Sequence, residues 1–151
     1  MTGELLNLSL KVIGIVRNGI KQRPELGWEE TVSEIVVDSR LTEALDGLEE
    51  FSHIIVIYWM HQVPALGKVP TKVHPRGRQE LPLVGFFAAR TPYRVNPVGE
   101  TTVRLLERRG NILKVEGLDA IDGTPVIDIK PYIPGYDSVT EAEVPSWVAR
   151  L

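Results

Sequence analysis

The sequence predicts a mainly all-β protein, a single antiparallel-rich β-barrel with one short helix and long loops. Three observations predict it. Several short segments are rich in β-branched residues, and turn signals at Gly110-Asn111 and Asp122-Gly123 separate some of them. Strand-like segments also never alternate with helix-like ones, as a parallel α/β sheet would require. The chain has 151 residues and no cysteine, so one domain over 1–151 is expected. A chain of that size buries roughly 68–70% of its unfolded surface without disulfides or a structural metal.

Leu8–Arg17 partly alternates, placing Leu10, Val12, Gly14 and Val16 on one strand face. Residues 18–30 are polar and glycine-bearing, and read as a long loop. Thr31–Asp38 is a second strand. A short helix over Thr42–Leu48 follows, with Ser39 as cap and Gly47 as stop. Ser52–His61 is apolar on both faces, as a central strand would be. The prolines of 62–82 make that stretch an excursion. Leu83–Ala89 reads as a further buried strand. Thr101–Glu107 and Ile112–Leu118 flank a hairpin turn, although Gly-Asn is a less usual order there than Asn-Gly. Thr124–Lys130 is the last strand, and a proline-bearing tail wraps the surface.

Whole classes of function drop out. Without cysteine there is no thiolate metal site, iron–sulfur cluster or thiol nucleophile. Neither a dinucleotide-binding nor a P-loop glycine pattern occurs, and no nucleophile elbow surrounds a serine. His53 and His61 lie about 26 Å apart on a strand, at ~3.3 Å per residue, and His74 is isolated, so no metal site is expected. The apolar run 54–60 is far short of the ~20 residues that span a bilayer. The first residues lack a basic, cleavable leader, so no membrane and a cytoplasmic location are expected.

Net charge is −3, unevenly spread. Residues 61–109 carry nine basic and three acidic side chains, between two acidic thirds. Such a patch suits a phosphate- or carboxylate-bearing partner, or is simply a solvated basic loop.

Two segments concentrate polar chemistry. Arg90–Gly99 holds two arginines, Asn96 and two prolines between apolar strands. Proline restricts its own φ and the preceding residue, so the loop can aim Arg90, Arg94 and Asn96 at an anion, or pair them with neighbouring carboxylates. Leu118–Tyr132 contains Asp119, Asp122 and Asp128. Strict alternation puts Val126, Asp128 and Lys130 on one strand face, as a surface pair or as part of a polar cavity.

These segments, in this order, resemble the TsaA-like family of TrmO-type tRNA methyltransferases. The matching stretches are Ile13–Arg17, Leu48–His61, Pro75-Arg76-Gly77, Gly85–Arg94, Asn96–Gly99, Asp119–Tyr132 and Asp137-Ser138. The resemblance implies a small β-barrel that forms a homodimer and binds S-adenosylmethionine near the subunit interface. It implies methylation of N6 of threonylcarbamoyladenosine at position 37 of a tRNA substrate. Cofactor contacts then fall to Gln22-Arg23-Pro24, His61-Gln62, Arg90, Glu100 and Asp119-Ala120-Ile121-Asp122. For the reaction, Arg90, Arg94 and Lys130 offer a clamp for the substrate's carboxylate, beside Asn96. Tyr93, Asp122 or Asp128 offer a proton acceptor. The alternative is a non-catalytic barrel that binds S-adenosylmethionine or a similar nucleotide as a sensor or interaction module.

Overall fold

Alternating residues in the segments around 35, 56 and 115 bring their apolar sides together by curling into a closed wall. The structure, a computed structural model, describes residues 3–24, 27–62 and 70–151. Its strands are β1 (Gly14–Arg17), β2 (Val32–Val37), β3 (His53–Trp59), β4 (Lys72–Val73), β5 (Val84–Gly85), β6 (Val98–Arg109), β7 (Ile112–Glu116) and β8 (Pro125–Pro131). A single helical turn, α1 (Pro134–Asp137), follows. Six strands close a barrel in the order β1-β2-β7-β6-β3-β8, with every neighbouring pair antiparallel. Closure leaves no free edge on that sheet. β4 and β5 pair separately.

The interior is filled by alternate residues. Val16, Ile35, Ile54, Val56, Val103, Leu113, Val115 and Val126 are all at or below 1% exposure, so the barrel holds side chains rather than a channel. Leu45 enters this core from one end, and Leu118 and Ala120 from the other. β6 is long enough to pair with β3 through its first half and with β7 through its second. Its hairpin with β7 turns at Gly110-Asn111, where only the glycine has positive φ (58°). That is the type II′ arrangement, which places glycine first and accounts for the residue order.

Four expectations change. The first strand begins at Gly14 rather than Leu8, although the residues before it alternate. β2 ends at Val37 and β8 bulges after Val126, so the segment before Ile13 has no ladder on either side. The helix over Thr42–Leu48 is instead two 3-10 segments, Ser39–Leu45 and Leu48–Glu50, separated by Gly47 in a left-handed conformation (φ 91°). The cap is Asp38, whose carboxylate accepts from the Arg40 amide. Leu83–Ala89 is not a buried strand. Only Val84–Gly85 pairs, because β4 offers it two residues, and the chain then tightens into a 3-10 turn at Phe86–Ala88. Leu83 and Phe87 are exposed.

The fourth change concerns β8. Its register against β3 jumps from Ile57–Asp128 to Tyr58–Val126, leaving Ile127 as an extra residue. This bulge shifts the alternation, so Val126 and Ile129 pack on the core. Asp128 and Lys130 therefore stand on the outer wall. They pair there at 3.1 Å, with side chains 47% and 60% exposed. They form a surface pair, not part of a polar cavity.

Candidate functional site

An antiparallel barrel gathers alternate connections at each end. The segments after β1, β3 and β7 and those before β2, β6 and β8 consequently share one mouth. That mouth collects residues 18–24, His61-Gln62, the Arg90–Pro97 loop and the Asp119–Thr124 turn. The dispersed polar residues of the sequence are thereby brought to one end.

The Asp119–Thr124 turn is bolted to the loop after β1. Asp122 Oδ1 accepts from the amides of Asn18 (2.8 Å) and Gly19 (3.0 Å), while Oδ2 faces Lys21 Nζ at 3.2 Å. The two amides and the ammonium hold the Asp122 carboxyl down at about 2. The amide of Asp122 returns a bond to the Ile20 carbonyl. Asn18 sits between the two segments. Its side-chain amide donates to Ser33 Oγ at 3.0 Å and to the Ala120 carbonyl at 2.9 Å. Thr124, also buried, donates to the Ile121 carbonyl.

Asp119 differs from its neighbour. Burial raises its carboxyl above the ordinary range, against the pull of Arg23 and then Arg76. Arg23 Nη2 holds Oδ2 at 2.9 Å. Among the described residues, Oδ1 accepts no hydrogen bond, nor do the amides of Ala120 and Ile121 donate one. The turn thus leaves one carboxylate oxygen and two N–H groups without a partner among the described residues, a set that complements a heterocycle edge or sugar hydroxyls. His61, exposed in the turn after β3, has its Nε2 3.8 Å from where a Cβ on Gly123 would lie.

Tyr58 fixes this turn from inside the barrel. Its hydroxyl donates to the Asp119 carbonyl at 2.8 Å and lies 2.9 Å from Thr101 Oγ1. The residue is 4% exposed, and burial pushes the phenol up to about 12. Its ring lies on Gly99, where a Cβ would fall 2.3 Å from Tyr58 Cε2. Only glycine fits there, so the end of the Asn96–Gly99 segment and the Asp119 turn meet on one ring.

The Arg90–Pro97 loop is held mainly by itself. Arg94 Nη1 donates to the Ala89 and Thr91 carbonyls at 3.0 and 3.2 Å, folding the guanidinium back on its own loop. Neither it nor Arg90 meets a carboxylate among the described residues. Tyr93 and Asn96 are exposed. Gln22 and Arg23 are exposed and Pro24 half-buried on the loop after β1, and Glu100 is exposed at the start of β6. Asp128 and Lys130 lie away from this cluster on the outer wall, and Glu100 stands on that wall too, across Ile57 from Asp128. Residues 63–69, part of the expected proline-rich excursion, lie outside the described residues. No group of three metal-binding side chains occurs among the described residues, and none of their helices is long and apolar enough to cross a membrane.

Several organising residues carry no strong mark in the sequence. Tyr58 reads as one more apolar strand residue, and Thr101 as ordinary strand composition. Asn18-Gly19 is legible as a turn, but not as the partner of Asp122, which lies over a hundred residues away.

Fold and site together define a closed six-stranded barrel with a pre-assembled polar seat at one mouth. The family model for the tRNA-methyltransferase O N-terminal domain matches residues 17–138, and the chain belongs to this family. A probable S-adenosyl-L-methionine-binding protein of Methanothermobacter thermautotrophicus is 44% identical over 138 residues, covering 89% of this chain and 96% of the relative. The tRNA (adenine(37)-N6)-methyltransferase of Escherichia coli is 34% identical over 143 residues, covering 86% of this chain and 60% of that enzyme. A crystal structure of TrmO from Pseudomonas aeruginosa superposes with a TM-score of 0.75 at 29% identity, covering 95% of this chain and 62% of that one. The chain therefore spans nearly all of the archaeal relative and about three fifths of these two bacterial proteins.

Proposed function

We propose that this protein is an S-adenosylmethionine-dependent tRNA methyltransferase whose target is N6 of threonylcarbamoyladenosine at position 37. The observation that carries the reading is the seat at Asp119–Asp122, with a carboxylate oxygen and two amides that have no partner among the described residues. That donor set fits the adenosine part of the cofactor, with Arg23, His61 and Gln62 around it. Bound there, S-adenosylmethionine would supply an electrophilic methyl group on a sulfonium sulfur.

The chain's own work is binding and positioning, which supply much of the rate in such displacements. Asn18, Lys21 and Asp122 hold the seat's shape. Asp122, kept at about 2, stays ionised for that task and is a weak base. Arg90 and Arg94 suit the threonyl carboxylate of the modified base, since a guanidinium offers two parallel donors. Among the described residues Arg94 bonds only to the Ala89 and Thr91 carbonyls, which it can exchange for a carboxylate. N6 is urea-like, so losing its proton favours attack, and Tyr93 on the same loop, as its phenolate, is the candidate acceptor, becoming the phenol. We further propose that residues 1–151 act as one unit, as a homodimer in the cytoplasm.

Methyl transfer from labelled S-adenosylmethionine to threonylcarbamoylated tRNA, beside unmodified tRNA, tests the reading. Transfer to the modified tRNA alone is expected; tight cofactor binding by calorimetry without transfer to either would sink it. That outcome is the second reading, a cofactor-binding barrel without transfer. It is favoured by the archaeal relative of nearly equal length, whose name states binding only. Light scattering that finds a monomer still binding cofactor would remove the dimer.

A further inference from the structure

We infer that Phe87 is a stacking platform for an unpaired base of RNA, on a surface where Lys72 meets a backbone phosphate. The inference rests on the tRNA reading above and adds to it a residue and a contact chemistry.

Phe87 is 81% exposed, a degree matched among the described aromatic side chains only by Tyr136 at 83%. Its position is nonetheless fixed. The neighbouring Phe86 is buried at 8% and meets the Phe87 ring edge-to-face, with centroids 4.5 Å apart. The turn is closed by the Ala89 amide on the Phe86 carbonyl and tied by the Phe86 amide to the carbonyl of Thr71, the residue before β4. A rigid aromatic face is thus presented to solvent at little ordering cost, which is what base stacking uses.

Charge around the ring points to a polyanion. Residues 81–99 contain two arginines and no acid. Lys72 pairs across the small sheet with Gly85, two residues before Phe87, and Arg90 follows three residues after it. Elsewhere, Arg17, Arg23, Arg40 and Arg108 each hold a carboxylate, whereas Lys11, Arg76, Arg104, Lys114 and Arg150 hold none among the described residues. Among the described residues, Lys72, Arg90 and Arg94 hold none. A second copy of this chain docked face to face on the ring would set these cations against their own counterparts, at a repulsive cost. A single-stranded nucleic acid satisfies both ring and cations.

The test uses the whole protein, a labelled short oligoadenylate and a tRNA anticodon stem-loop, with affinity read by fluorescence anisotropy. Phe87→Ala is expected to weaken binding roughly five- to one-hundred-fold, the range for losing one stacked base. Phe87→Trp should restore it, whereas Phe87→Leu, apolar but without a π face, should not. Lys72→Gln should flatten the salt dependence by about 0.7 in log–log slope, as expected for one single-strand phosphate contact. Equal affinity of Phe87→Ala and parent overturns the inference. So does a Phe87→Ala loss that tracks weakened S-adenosylmethionine binding or a smaller particle by light scattering, since the ring would then serve the cofactor or a second copy. Phe87-dependent oligonucleotide binding without methyl transfer leaves the inference standing and removes the methyltransferase reading. Absence of any RNA binding by the parent removes both.

Discussion

The Asp119–Thr124 turn and the Arg90–Pro97 loop occupy the same mouth but are built on opposite principles. The turn is bonded to partners far along the chain, through Asn18, Gly19 and Lys21 about a hundred residues away and through Tyr58, 61 residues away. The loop bonds chiefly to itself, through Arg94 on Ala89 and Thr91. The first arrangement suits a seat whose shape must exist before its ligand arrives. The second suits a contact that forms with the ligand, because Arg94 gives up only carbonyls of its own segment. Preorganisation is thus concentrated where a small cofactor would sit, and adaptability where a large substrate would approach.

The comparison breaks most visibly at Gly99. Gly99→Ala drives a methyl into the Tyr58 ring and should cost about 3 kcal/mol. For a chain of this size that is a fall of roughly 6–12 °C in Tm, read by thermal unfolding. A melting temperature equal to the parent's would mean the ring is free to move and the turn is not held from within.

Tyr58→Phe is the next largest. It leaves the ring but strips the Asp119 carbonyl of its donor, at about 1–3 kcal/mol. The loss should appear both in Tm and in S-adenosylmethionine affinity. The parent carries a pH signature as well. Because the folded-state value lies near 12 against an ordinary 10, the phenol's contribution is intact below pH 10 and is lost as pH rises through about 12. Absorbance titration should find one of the four tyrosines ionising only near pH 12, and Tyr58→Phe should remove that step.

Asp122→Ala should lower Tm modestly and weaken cofactor binding first, through the loosened 18–21 segment. Its carboxyl is depressed, so the stability it gives is present above its ordinary value of 3.8 and is lost as pH falls through about 2. The gap between parent and variant in thermal scans should therefore close on acidification over that interval. A gap that widens instead would assign the effect to another group.

Arg94→Ala should change Tm least, since its bonds reach only its own loop. Its effect belongs to the substrate: productive tRNA binding weakened by roughly 1.5–3 kcal/mol with cofactor affinity kept. If binding of cofactor and tRNA fell together, the two regions would not be as separate as their bonding implies.

How much of this could be read in advance depends on the range of the interaction. β2, β3, β7 and the 110–111 hairpin are local patterns, and their sequence boundaries hold within about two residues. The clustering of Asp119–Asp122 with residues 18–24 came through family resemblance, because no local pattern ties Asp122 to Asn18. Tyr58 escaped notice because a strand tyrosine's hydroxyl partner is set by closure of the barrel. Leu83–Ala89 misled because its apolar composition suits a strand, while only two residues of neighbouring strand exist to pair with it. Asp128 misled because strict alternation does not foresee a bulge.

That bulge sets how β8 can change in length. A strand read in steps of two reverses both faces when a residue is gained or lost, sending charges inward and apolar side chains out. β8 already contains one residue more than its partner strand at Ile127. Removing that residue would restore plain alternation with Val126 and Ile129 still inward, whereas loss of a residue between Ile129 and Pro131 would turn the remainder of the strand over. Drift in the length of this gene is therefore tolerated at one codon of the strand and punished at its neighbours.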